Sequence, residues 1–166
     1  MPFAVAHIII PIIILNLIRD KVKGFKRKIT LHEILIAGIF GILPDIDLIF
    51  DIIFNSIGSD LHIHRMFTHN LVFPAIVAAA TLLIKHKKTR MVLYAASLGL
   101  ASHVILDFII VGFVYPLYPI TDFGIGLNII GLFTFSAYQI LAGLDAIILL
   151  VWIIHEEKKK KIKDFI

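Results

Sequence analysis

Four carboxylates, three imidazoles and a guanidinium fall between residues 45 and 69, and the chemistry concentrates in Asp45 and Asp47 of Leu43-Pro44-Asp45-Ile46-Asp47, then His62, and then His64-Arg65-Met66-Phe67-Thr68-His69. A further pair, His103 and Asp107, is spaced four residues apart, which puts both on one face of a helix. His7 stands near the start. In a chain that is 59% hydrophobic, such groups are costly beside hydrocarbon unless they bind something. Carboxylate oxygens combined with imidazole nitrogens suit Zn, Mn or Fe, and the absence of cysteine excludes thiolate sites. The set reads as a site for one or two divalent ions, zinc first among them, held by His7, Asp45, His64, His69, His103 and Asp107.

Each residue taken alone has a plainer explanation. Asp, His and Asn in a loop are ordinary turn formers; His103 with Asp107 can brace two helices; His7 can bond a carbonyl. The joint pattern is what points to a metal. His62 reads as adjacent only, His86 and His155 as solvated in basic flanks, and Asp145 as either a helix-to-helix hydrogen bond or a partner of the metal site.

The elements that must position these groups are apolar helices. At 166 residues with a mean hydropathy of +0.95, the chain lies outside the soluble globular class and reads as one integral membrane domain over residues 1–166, ending in a basic tail at 158–166. The fold class expected is all-α, a membrane-embedded helical bundle of about five spans with kinked or re-entrant segments. The spans expected are residues 3–18 with a kink at Pro11, 34–43, 71–84, 91–114 and 136–154, with a Gly-rich re-entrant or interfacial stretch at 120–135. Residues 3–18 are expected to stay attached, since no positive residue precedes them and no small-residue cleavage site follows. Thr30 and Glu33 form a capping box for the second helix, and Asp45 is placed to cap the segment after Pro44.

The net charge of +4 gathers in clusters at 19–28, 85–90 and 158–163. Each abuts an apolar run and no recognition motif accompanies it, so membrane topology explains the charge and nucleic acid is not an expected partner. The clusters follow the first, third and fifth spans. One orientation puts all of them in the cytoplasm, with the N-terminus and the segments 44–70 and 115–135 outside. His7, Asp45, Asp47, His64 and His69 then share the outer level, and His103 and Asp107, about 18 and 24 Å along the helix from Met91, reach it from below.

With LPD at 43–45, HR-x-x-TH at 64–69 and H-x-x-x-D at 103–107, the chain resembles the YdjM-like family of inner-membrane-associated, metal-dependent hydrolases over nearly its whole length, from His7 to Tyr115-Pro116. The order His7, Asp45, His64 or His69, then His103 and Asp107, is also similar to the ligand order of the zinc-dependent phospholipase C and P1-type nucleases. Those are helical phosphodiesterases with three metals, whose further H-x-x-x-E pair has no match after Asp107. The resemblance implies hydrolysis of a phosphoester by metal-activated water. The expected substrate is a lipid or polyprenyl head group delivered from the membrane, with Asp47 as base or bridging ligand and Arg65 pairing with phosphate oxygens. Two alternatives stay open: a metal- or proton-coupled transporter, which needs a polar route inward through Asp145 and Gln139, and a scaffold whose His/Asp cluster is structural.

Overall fold

The computed structural model describes residues 4–26, 28–59, 64–65, 68–110, 112–133 and 137–158, with side chains throughout except at 137 and 138. His62, Met66, Phe67 and all but the first residue of the basic tail lie outside the described residues. The described chain is all-helical: α1 (Ala4–Lys21), α2 (Leu31–Ile42), a 3-10 turn (Leu43–Ile46), α3 (Asp47–Ser56), α4 (Val72–Ala80) prolonged by a 3-10 turn (Thr81–Leu83), α5 (Lys87–Ile110), a 3-10 turn (Ile129–Leu132) and α6 (Ala137–Lys158). The only strand-like pairing among the described residues is an isolated bridge between Val114 and Ile125.

Helix α2 sits at the centre, packed most extensively on α5 and then on α1, while α4 leans on α5 and α6 on α1. Small residues allow this closeness. A Cβ on Gly99 would lie 2.3 Å from the Ala37 carbonyl oxygen and 2.9 Å from the Gly41 amide nitrogen, and one on Gly41 would lie 2.1 Å from the His7 carbonyl oxygen. Pro11 explains why that carbonyl is available: four residues after His7, it has no N–H to offer the usual helical bond. Three helices therefore meet backbone to backbone at Gly41. Away from that point Ile12, Leu15, Ile29, Ile34, Ala37 and Ala95 form the main apolar core.

The local signals hold in part. Glu33 reaches back to the Thr30 amide, which donates to it at 2.7 Å, so α2 starts as the capping box requires. Asp45, by contrast, does not cap the helix after Pro44; α3 begins without a side-chain cap, and Asp45 is turned inward to the histidines. Helix α5 ends at Ile110, before the expected 114. The stop is Gly112, whose φ of +123° leaves the helix while its amide donates to the Asp107 carbonyl at 3.2 Å.

Asp145 has a definite partner. Its two oxygens accept from the amides of Val5 and Ala6 at 3.2 and 2.9 Å. A carboxylate from α6 thus satisfies the orphan donors at the first turn of α1, next to His7, and complements the positive end of that helix.

Among the described residues two helices are long and apolar enough to cross a membrane: Lys87–Ile110 and Gln139–Lys158. The expected five spans are not confirmed, since α2 and α4 are short. At 12 and 9 residues they reach about 18 and 14 Å, short of a hydrocarbon core of about 30 Å. A 3-10 turn follows each, at Leu43–Ile46 and Thr81–Leu83. The outer surface is nonetheless apolar, with Leu82 and Leu83 of the α4 end and Ile147, Leu150 and Val151 of α6 all exposed, a surface that water does not favour.

Candidate metal centre

All eight residues singled out from the sequence gather at one end of the bundle, each delivered by a different local device. His7 comes from the first turn of α1, which Asp145 holds in place. Asp45 lies in the tight turn imposed by Pro44, and Asp47 is the first residue of α3. His103 and Asp107 project from α5 four residues apart, their Nε2 and Oδ2 atoms 4.0 Å from each other. Arg65 adopts a left-handed conformation at φ +69°, a strained one for a non-glycine residue, of the kind that clusters at functional sites.

At the centre are four atoms. His69 Nε2 is 2.9 Å from His103 Nε2, and both nitrogens stand 3.2 Å from Asp45 Oδ1. Asp107 Oδ2 lies 3.5 Å from His69 Nε2. Ligands about 2.0–2.1 Å from a tetrahedral zinc stand about 3.3–3.4 Å from one another, so these separations suit the edges of a coordination polyhedron. His7 completes the inner group: its Nε2 is 3.4 Å from Asp107 Oδ1, and its ring stacks on His103 with centroids 4.0 Å apart.

The proton positions sharpen the fit. His103 Nδ1 donates to the Gly41 carbonyl at 2.8 Å, which leaves Nε2 as the lone-pair nitrogen. The Thr68 hydroxyl donates to Asp47 Oδ2, so it can only accept from His69 Nδ1, 2.9 Å away, and in the neutral ring His69 Nε2 would then also present a lone pair. Two lone pairs facing each other at 2.9 Å repel unless a proton or a cation lies between them. Three buried atoms of the same residues have no hydrogen-bond partner: His7 Nδ1, Asp45 Oδ2 and Asp107 Oδ2. Overlapping sets of three residues have donor atoms within 4.8 Å of one another: His7, Asp45 and His103; His69, His103 and Asp107; and Asp47, His64 and His69.

Asp47 is held more completely than the others. His64 Nδ1 donates to its Oδ1 at 2.7 Å, while Oδ2 takes the Thr68 hydroxyl and the Arg65 amide at 3.3 Å and lies 3.4 Å from His69 Nδ1. A carboxylate behind the outer nitrogen of a histidine is the usual way to fix a ligating imidazole. The rim is more open: the His64 and Arg65 side chains are 16% and 32% exposed, against 0% for His69 and His103.

The YdjM inner membrane protein family model matches the chain over residues 1–162. The chain belongs to that family. No curated protein and no solved structure matches it. What a YdjM protein of this sequence does must therefore be argued from its site. Sequence reasoning missed three supports of that site in this YdjM chain: the Gly41 carbonyl, the Thr68 hydroxyl and the cap from Asp145. The first two act through a backbone oxygen and a common hydroxyl, which leave no signature in a motif of charged residues.

Burial by itself would raise the Asp45 carboxyl, but the His103 and His69 rings beside it outweigh that and hold the group well below the usual carboxylate range. Asp47 is lowered for the same kind of reason, burial being overcome by His64, His69 and Thr68. Burial would depress His69, yet its bonds to Asp45 and Asp47 and the nearby Asp107 charge raise it to about 9. In the absence of metal, His69 therefore keeps its proton in neutral solution. That proton stabilises the fold fully below about pH 6.5, the unfolded value, and the contribution is lost as pH rises through about 9. A metal ion must displace it. Zinc titrations at pH 7 in buffers of different ionisation enthalpy are expected to report about one proton released per chain, falling towards none above pH 9; no release at pH 7 would contradict a shared proton–metal position.

Proposed function

We propose that this YdjM protein is a membrane-embedded, metal-dependent hydrolase that cleaves a phosphoester of a lipid-like substrate at the outer membrane interface. The observation that carries the reading is the close pair of buried ring nitrogens, His69 Nε2 and His103 Nε2, 2.9 Å apart and bracketed by Asp45 and Asp107. Nitrogen and oxygen donors of this kind suit Zn, with Mn or Fe as further candidates. His69, His103, Asp45 and Asp107 would hold a first ion, and His7 with the remaining carboxylate oxygens a second. A bound divalent ion supplies an acidified water as nucleophile and polarises a phosphoryl oxygen.

The chain's own residues do the rest. Asp47, with both oxygens engaged, orients His69 and His64; this is a better use of its geometry than the role of general base. Arg65 has a buried Nε with no hydrogen-bond partner, 3.8 Å from Asp107 Oδ2 at the half-open rim. Its planar fork suits phosphate oxygens entering from that side. Basic residues lie at the opposite end, at the close of α1 and the start of α5, and the positive-inside rule favours an orientation with that end in the cytoplasm and the centre outside. The transporter alternative depended on Asp145 as an inward step, and Asp145 is instead spent on the α1 amides.

The test is turnover of phospholipid and polyprenyl phosphoesters by metal-loaded protein in mixed micelles. Arg65→Gln is expected to lower kcat/KM by about a hundredfold with metal content unchanged, the scale seen when one transition-state donor is removed. If fully metallated wild type turns over none of these substrates, the hydrolase reading is wrong and the centre is structural.

A further inference from the structure

At the other end of the bundle, about 24 Å along α5 from Asp107, the end of α1, the start of α2 and the start of α5 enclose a cavity of about 910 Å³. Its composition is divided. Lys28, Lys87, Lys88 and Arg90 supply four cations, while Ile18, Met91 and Leu98 belong to an apolar wall. Glu33 is the one carboxylate that lines it, and its charge is already answered by the Thr30 amide and hydroxyl. Lys28, Lys87 and Lys88 are exposed and Arg90 half-buried, so the cations can meet a ligand at the rim. The second cavity, about 540 Å³ between α1 and α6, has the opposite character: its lining includes Asp20 and Glu156 and no Lys or Arg.

Four cations beside a single, already bonded carboxylate repel one another unless an anion joins them. An apolar wall beside them has no use for a small hydrated anion. Phosphate with acyl chains answers both, and cytoplasmic leaflets are rich in such lipids. We propose that this cavity binds an anionic phospholipid, the phosphate head group on Lys28, Lys87, Lys88 and Arg90 and the upper acyl chain along Ile18, Met91 and Leu98. The site is separate from the metal centre and does not rest on the hydrolase reading. Its volume is within the range of ordinary small-molecule pockets.

The test uses the full chain in detergent, exchanged with phosphatidylglycerol or phosphatidylcholine and read by native mass spectrometry. Wild type is expected to retain phosphatidylglycerol preferentially. Each rim charge removed is expected to lower that preference by about fivefold, so Lys28→Gln/Lys88→Gln/Arg90→Gln lowers it by about a hundredfold. Leu98→Trp, which fills the apolar wall, lowers retention without touching a charge. Because Lys87 and Lys88 are exposed, Lys87→Gln/Lys88→Gln keeps the fold and gives the partial effect even if the triple variant does not. Equal retention of the two lipids, or a preference that survives the charge variants, overturns the proposal. So does displacement by millimolar inorganic phosphate, which identifies a free-anion site, and so does indifference to Leu98→Trp, which identifies surface attraction alone.

Discussion

His69→Ala is expected to abolish metal binding. Elemental analysis of purified wild type should find about one to two equivalents of Zn, Mn or Fe, and the variant less than a tenth of that. The expectation follows from position. His69 Nε2 is within 3.5 Å of His103 Nε2, Asp45 Oδ1 and Asp107 Oδ2 together, so its loss opens the polyhedron from the middle rather than trimming an edge. It also strips the buried Asp45, Asp47 and Asp107 of the one imidazole that lies within 3.5 Å of all of them. Asp47→Asn should behave differently: the donor atoms remain, only the orientation of His69 and His64 loosens, and affinity falls by about 10- to 100-fold. His7→Ala separates one ion from two, since it should remove the second equivalent and spare the first. A wild type that takes up none of the three ions on reconstitution, or a His69→Ala protein that keeps its metal, would reduce the cluster to an internal brace.

The convergence of the eight polar residues was legible because two independent signals agreed. Basic clusters fixed which ends of the apolar runs lie together, and the polar residues then fell on one level. Helix lengths were less legible. Hydrophobicity over 91–114 does not reveal that Gly112 leaves the helix, and 34–43 and 71–84 are apolar enough for spans while the helices that form there are only 12 and 9 residues long. Asp145 illustrates a different limit. A mid-helix carboxylate in an apolar run announces that it needs a partner, but the partner is a pair of backbone amides 139 and 140 residues away in sequence, which no pattern of side chains marks. Asp45 was read correctly as polar and wrongly as a cap, because the same residue type serves both uses and only the packing of α2 on α5 decides between them.

That packing gives the other large effect. Gly41→Ala is expected to destabilise the protein by at least about 3 kcal/mol and to cost it the metal, although residue 41 has no side chain to coordinate anything. A methyl group at 41 would lie 2.1 Å from the His7 carbonyl oxygen and 2.9 Å from Pro11 Cγ, neither of which is the flexible end of a side chain. The first helix has to withdraw, and His7 withdraws with it. The Gly41 carbonyl is also the acceptor that holds His103 Nδ1–H at 2.8 Å, so a shift of α2 turns the second imidazole as well. A single methyl group therefore acts on two candidate ligands through backbone alone. Thermal melting of the metal-stripped variant measures the packing cost by itself, and metal titration measures the coupling to the site. If Gly41→Ala melts with wild type and binds metal normally, the three-helix contact is looser than described and cannot be what positions His7 and His103. Gly143→Ala is the control: a methyl there meets nothing within 4 Å, and in a helix interior alanine is favoured over glycine. The contrast between the two substitutions isolates close approach from helix propensity, which would make both stabilising.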